Sequence, residues 1–331
     1  MEGGVKACCG VKRGEVTDRS HSRDADYHSF ATSVPEASEV ERSELRAGLV
    51  PIPGGIFEMG ARRSRFEADL DSPRRKVKLS SYLIAPTSVT NQQYRRFVEA
   101  TGYRTVAERE GWSFVFHLLL DDPAIWSDSP QNLPWWRRVD GACWSAPEGP
   151  GSSIAGREDH PVVHVAWYDA LAYCKWSGLS LPSEAQWERA ARGGMARMRF
   201  PWGNDMLPGG RHAMNTFQGE FPRSNTAEDG WLGTAPADAF VPNGYGLYNM
   251  TGNVWEWAAD CFGPLPEERR IPLVDPVRIA KEDSAPGPRV QRGGSYLCHE
   301  SYCDRYHVHS RTANDPDSST GHCGFRVAAQ N

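Results

Sequence analysis

The chain has 331 residues, a net charge of −5 at pH 7 and 39% apolar side chains: enough for a core, too acidic overall to favour a nucleic-acid partner. No apolar run approaches the roughly 18 residues of a membrane span, and the N-terminus has no charged-then-apolar signal pattern, so no membrane partner and a cytoplasmic location are expected. The 32 glycines, 24 prolines and 12 tryptophans predict a loop-rich α+β domain pinned by flat aromatic side chains rather than by long helices.

In chain order, residues 1–45 are rich in Ser, Glu, Arg and Asp. They are expected to be a disordered polar tail, with its Cys8-Cys9 pair incidental. A single irregular domain is expected over 46–331. It opens with a strand, turn and strand from Leu49 to Gly60, and Val77, Leu79 and Tyr82–Ile84 suggest another strand. Asn91–Ala100 reads as a helix with Tyr94, Phe97 and Val98 on one face and Gly102 past its end. Tyr168–Ser177 reads as a second helix closed by Gly178, and a third starts at Ser183, whose spacing to Gln186 fits a capping box. Beyond it the pattern is mostly turns, among them Pro242-Asn243-Gly244 and Gly252-Asn253.

Phosphate-loop, dinucleotide and His-Glu-x-x-His motifs are missing. What stands out is Arg292-Gly293-Gly294-Ser295-Tyr296-Leu297-Cys298-His299-Glu300-Ser301-Tyr302-Cys303, two thiols on one loop after a Gly-Gly turn. Spacing leaves three readings open: a local disulfide, a thiol–imidazole zinc set recruiting His299, His307 or His309, or a two-thiolate site for a soft ion such as Cu(I). His160 and His164 fall on one side of an expected strand, as ordinary core-edge histidines. Asn215, Asp229, Asn249 and Asn253 lie in turns, where their oxygens suit either turn formation or Ca²⁺.

Several segments together resemble the formylglycine-generating enzymes, or sulfatase-modifying factors. They include Gly111–Phe116, Pro147–Pro150, His160–Trp167, Leu181–Glu188, Phe200–Asn204, Thr234–Pro236, Asn243–Asn249, Gly252–Trp257, Arg292–Cys303, Asn314–Ser319 and Gly324–Arg326. The similarity spans about residues 48–329, and the Leu-Cys-His-x-Ser-Tyr-Cys pair is its most specific part. The resemblance implies an oxidoreductase that converts the cysteine of a Cys-x-Pro/Ala-x-Arg motif in an unfolded sulfatase to Cα-formylglycine, using O₂, a thiol reductant and copper. It implies an irregular fold distantly like C-type lectins, with Cys298 and Cys303 as copper ligands and catalytic residues, Ser295 beside them, and Trp255 and Tyr302 lining the pocket. It also implies two structural calcium sites: Asn215, Thr216, Asp229 and Trp231, then Asn249, Met250, Gly252 and Val254, several through backbone carbonyls.

The chain departs from the family pattern at His307-Val308-His309-Ser310, where an Arg-containing run of small residues is usual. Cys174 matches a disulfide cysteine of some members, but Val327 holds the partner's place, which leaves a Cys174–Cys323 contact open. Cys261–Pro288 matches poorly. Two alternatives follow from the same resemblance. One is an iron-dependent sulfoxide synthase, which carries His-x-x-x-His-x-Glu in an extra N-terminal domain. The other is a non-catalytic module that binds peptide or glycan.

Overall fold

Short strands and short helices are what this sequence permits, because turn residues interrupt every apolar run after a few positions. In the computed structural model, residues 11–13, 21–279 and 287–331 are described. Helices α1 (His21–Thr32) and α2 (Glu39–Ala47) precede strands β1 (Val50–Ile52), β2 (Gly55–Met59), β3 (Arg75–Leu79) and β4 (Tyr82–Ile84). Helices α3 (Asn91–Thr101) and α4 (Val106–Glu110), the pair β5 (Trp112–Phe116) and β6 (Trp136–Asp140), and helices α5 (Trp167–Ser177) and α6 (Glu184–Ala191) follow. The C-terminal part holds β7 (Gly219–Glu220), β8 (Ser224–Asn225), β9 (Trp255–Cys261), β10 (Leu273–Val274), β11 (Arg289–Arg292), β12 (Arg311–Asn314), β13 (Cys323–Phe325) and β14 (Ala328–Gln330). This is the expected irregular α+β architecture.

The three helices expected from sequence are present, with the expected ends. Ser183 caps α6 reciprocally with Gln186, Thr90 does the same for α3 with Gln93, and left-handed Gly102 and Gly178 close α3 and α5. The opening strands pair differently from a simple hairpin. β1 joins β4 and β14, whereas β2 pairs with β3, so the chain's start and end share one small sheet.

The sheet that carries the site has the order β12-β11-β9-β13, with β13 parallel to β9 and the other pairings antiparallel. Buried arginines hold it, two of them stapling it to α6 and one tying it to its own strand β9. Arg292 on β11 meets Glu188 at 2.6 Å, Arg311 on β12 meets Glu184 at 2.6 Å, and Arg326, just past β13, meets Glu256 on β9 at 2.6 Å. All six side chains are buried, and stripping one partner from such a pair costs about 3–5 kcal/mol, because a charge is left without compensation.

The N-terminal expectation needs correction. Within the span read as a disordered tail, α1 and α2 are helical, and Tyr27, Ala31, Val34 and Ala37 are buried in the main apolar cluster. Tyr27 and Ala31 stand at i and i+4 on α1 and Val34 just past its end, a buried row that the polar average conceals. The row lies against α5, where the Tyr27 and Tyr168 rings are 6.0 Å apart and the Ala37 amide donates to the Trp176 carbonyl at 2.8 Å. Cys8 and Cys9 lie outside the described residues.

Candidate active centre

The cysteine loop begins where β11 ends. Gly293 and Gly294 both take left-handed backbone angles (φ 98° and 77°), and a Cβ on Gly294 would lie 2.6 Å from the Arg305 carbonyl oxygen, so only glycine lets the loop double back there. Successive backbone bonds then close two tight turns. The Cys298 amide donates to the Ser295 carbonyl at 2.9 Å and the Cys303 amide to the His299 carbonyl at 2.8 Å. These turns bring Cys303 Sγ to 3.6 Å from Cys298 Sγ, with both residues about 1% exposed. That separation is van der Waals contact, far beyond the roughly 2.05 Å of a disulfide, and it excludes the local disulfide for this structure.

Ser295 is fully buried at the base of the loop, and its hydroxyl accepts from the Leu297 amide at 3.3 Å. Trp255, the first residue of β9, is buried in the same apolar cluster as the two cysteines. Tyr302 is half-buried in an aromatic tier, its ring 5.1 Å from both Phe221 and Trp135. Ser295 and Tyr302 thus sit on the same loop as the thiols, and Trp255 shares their apolar cluster.

His322 was not singled out by sequence. It precedes Cys323, lies buried with its ring 4.7 Å from Trp136, and shares a hydrogen bond of 2.7 Å with Thr320 through Nδ1. Burial lowers its pKa to about 3, opposed by the nearby Cys303. Its Nε2 and the Trp255 Nε1 are both buried without a hydrogen-bond partner among the described residues. Unsatisfied polar atoms this deep are costly, and they collect where a ligand completes the bonding. A histidine next to a glycine-rich turn was the only sequence signal.

Two asparagine turns brace the loop. The Tyr296 amide donates to the Asn253 carbonyl (2.9 Å), the Phe217 amide to the Cys298 carbonyl (3.2 Å), and the Gly252 amide to the Gly293 carbonyl (2.9 Å). In each turn one asparagine has its amide nitrogen committed. Asn215 donates to Gly233 O at 2.8 Å, and Asn249 donates to Pro236 O and Ala237 O at 3.1 Å each. Their Oδ1 atoms are left buried with no partner among the described residues. Asp229 accepts from the Thr216 and Trp231 amides at 2.9 and 3.0 Å. Oxygen donors with vacant lone pairs are what a hard cation requires, so the residues fit the two implied calcium sites. No cluster of three His, Cys, Asp or Glu residues suited to a metal occurs among the described residues.

The remaining histidines have their own partners. Pro161–Val163 is not a strand, and His164 is left-handed (φ 58°). Its Nδ1 lies 2.8 Å from Ser113 Oγ, while His160 Nδ1 lies 2.9 Å from Thr234 Oγ1. Both line a cavity of about 320 Å³ with Trp231 and Tyr296, each engaged separately. His307 stacks on His309 at 5.4 Å. Arg199 contacts His307 at 3.1 Å, and Asp71 holds His309 at 2.9 Å. The open Cys174–Cys323 question also closes: neither thiol is in a disulfide, and Cys323 Sγ accepts instead from Gln291 Nε2 at 2.9 Å.

Residues 34–331 match the family model described as a sulfatase-modifying factor enzyme 1-like domain. The chain belongs to the formylglycine-generating enzyme family. It is 52% identical to the formylglycine-generating enzyme of Thermomonospora curvata over 305 residues, covering 91% of this chain and 98% of that protein. It is 50% identical to that of Streptomyces coelicolor over 298 residues, covering 88% and 92%. Among solved structures, PvdO from Pseudomonas aeruginosa superposes with a TM-score of 0.59 at 23% identity, covering 86% of this chain and 94% of that one, a likeness of fold alone.

Proposed function

We propose that the chain is an oxidoreductase that converts a cysteine of a sulfatase polypeptide, in a Cys-x-Pro/Ala-x-Arg motif, to Cα-formylglycine. The family and the printed names of its relatives support the sulfatase-modifying part, and the paired sulfurs of Cys298 and Cys303, 3.6 Å apart in a buried loop, carry the chemistry. The net reaction takes the client –CH₂–SH, O₂ and two hydrogen atoms from a thiol reductant to an aldehyde, H₂S and water. Cu(I) held by the two thiolates would supply electronic access to O₂ and favour a client thiolate as a third sulfur.

The protein's part is positioning. Cys298 and Cys303 set the spacing of the sulfurs, and Ser295 fixes the turn below them. Trp255 Nε1 and His322 Nε2 supply unsatisfied polar atoms in the buried surroundings, and half-buried Tyr302 with Trp135 and Phe221 offers the aromatic edge along which a client strand approaches. Asn215, Thr216, Asp229 and Trp231, with Asn249, Met250, Gly252 and Val254, would hold two Ca²⁺ ions that brace the loop. Among the described residues no helix is long and apolar enough to cross a membrane, and the reading keeps a cytoplasmic location. An iron site of the sulfoxide-synthase kind finds no support, since His21 and His28 on α1 are seven residues apart and lack the His-x-x-x-His-x-Glu spacing.

Metal analysis of protein purified without chelators, beside a Cys298→Ala variant, tests the ligand assignment. Mass spectrometry of a Cys-x-Pro-x-Arg peptide under O₂ and reductant tests the reaction. Retention of the peptide thiol by a copper-replete enzyme would refute the reading.

A further inference from the structure

The run His307-Val308-His309, where the chain departs from its family, is not used by the reaction above, and His309 lines a cavity of about 390 Å³. Five guanidiniums line the same cavity, those of Arg62, Arg63, Arg74, Arg197 and Arg199, with no carboxylate among the described lining residues. Glu58 pairs with Arg197 at 2.6 Å, and Asp71 backs His309 at 2.9 Å. Arg62 and Arg63 are exposed with no ion pair to a described carboxylate, and Arg74 Nε is buried without a hydrogen-bond partner among the described residues. Arg199 meets only an imidazole, His307, at 3.1 Å. Burial pushes that imidazole down to about 3, so it is neutral and offsets no charge.

Guanidiniums gathered this way repel one another and raise a local positive potential, in a chain whose net charge is −5. An anion relieves that repulsion, and the arginine fork suits carboxylate oxygens. The loop that bears Arg62 and Arg63 also leans on the cysteine loop. Arg65 pairs with Asp304, the neighbour of Cys303, and its Nη2 donates to the Glu300 carbonyl at 3.2 Å. On the same loop Phe66 lies under the Arg305 guanidinium, 4.0 Å from its ring centroid, and Asp69 pairs with Arg305 at 2.7 Å. At the other wall, His309 follows Cys303 by six residues. Their Cα atoms are therefore at most about 20 Å apart. A polypeptide held at the thiols reaches the cavity with roughly six to eight further residues.

We propose that this cavity is a second docking site for the client polypeptide and takes a short acidic stretch of it, outside the motif that carries the reacting cysteine. The proposal rests on the sulfatase-modifying reading above. Joined to the motif by its own chain, the stretch adds affinity through effective concentration. A nucleic acid suits the site less well, because a long phosphate backbone would meet the rest of an acidic protein, whereas a few carboxylates need only the cavity.

The test is binding of fluorescent Ser-x-Pro-x-Arg peptides, which dock without reacting, measured by anisotropy on the full chain. Each peptide carries a Glu-rich or a Gln-rich tail beyond a spacer of about eight residues, on its N-terminal or its C-terminal side. On one side the Glu-rich tail is expected to lower Kd about tenfold relative to the Gln-rich tail, and high salt should erase that gain. Arg62→Gln with Arg63→Gln should cut the gain to about threefold or less, and Arg62→Glu with Arg63→Glu should abolish it. Both side chains are exposed and unpaired, so these variants keep the fold, which an unchanged thermal midpoint checks. No gain on either side, a gain that survives the Glu variant, or a gain indifferent to salt overturns the site. A single-stranded oligonucleotide that binds the parent, but not the Glu variant, more tightly than the Glu-rich tail overturns the peptide assignment. Conversion of the matching cysteine peptides with no effect of the tail would sink the site and leave the enzymatic reading standing. A tail effect without conversion would do the reverse.

Discussion

The cysteine loop and the N-terminal segment are held in opposite ways. From Arg292 to Cys303 the loop is anchored almost residue by residue, through backbone bonds to both asparagine turns and through Arg292, which is fully buried against Glu188. From Val11 to Ala37 the chain is polar, and the burial seen there falls on a few side chains such as Val11, Arg13, Tyr27, Ala31 and Val34. The loop places two sulfurs 3.6 Å apart and any slack would lose them; the segment only has to dock, and a handful of anchors is enough. A dense local network serves geometry, and sparse anchors serve attachment.

Substitutions can break or sharpen that contrast. The largest effect is expected from Cys298→Ala or Cys303→Ala, which should lower peptide turnover by at least about a hundredfold while costing only about 1–2 kcal/mol of stability, because each removes a single buried sulfur atom. Retained turnover in either variant would show that the pair is not the working centre. Glu188→Ala strips the carboxylate from buried Arg292 and Arg192 and should cost about 3–5 kcal/mol in denaturant unfolding. A loss under 1 kcal/mol would mean that the arginines find other partners.

Gly294→Ala forces a Cβ against the Arg305 carbonyl at a left-handed position and should destabilise by about 2–3 kcal/mol while reducing turnover. Gly102→Ala, also left-handed but with open space around it, should cost nearer 1 kcal/mol, which isolates the close approach from the backbone preference. The smallest effect is expected in the segment. Val34→Ala removes two methyl groups from the buried row just past α1 and should cost about 1–2 kcal/mol without changing turnover of a saturating peptide. Equal sensitivity of turnover to Val34→Ala and Gly294→Ala would erase the distinction between the two regions.

Much of this was legible in the sequence where local chemistry decides. The capping pair Ser183/Gln186 and the left-handed Gly102 and Gly178 fixed helix ends by side-chain bonds and steric freedom, which are properties of neighbouring residues. The thiol pair was visible as a motif, and so were the asparagine turns. Strand partners were hidden, because β4 pairs with both β1 and β14, and three-residue strands carry too few side chains to specify a distant register. The order of the N-terminal helices was hidden by averaging over a polar stretch, although the Tyr27, Ala31, Val34 spacing was there to be counted. His322 was missed because its role depends on packing against Trp136 and proximity to Cys303, which no spacing reveals.

The bonds from the asparagine turns to the thiol loop bear on bench work. If Ca²⁺ fills the turns around Asn215 and Asn249, a broad-spectrum chelator such as EDTA would slacken the Tyr296–Asn253 and Phe217–Cys298 ties and silence the protein without touching a sulfur. Inactivation by EDTA would then speak about scaffolding, and a thiophilic, Cu(I)-selective chelator is the reagent that interrogates the sulfurs themselves. Restoring Ca²⁺ alone after each treatment separates the two: it should revive the first sample and leave the second inert.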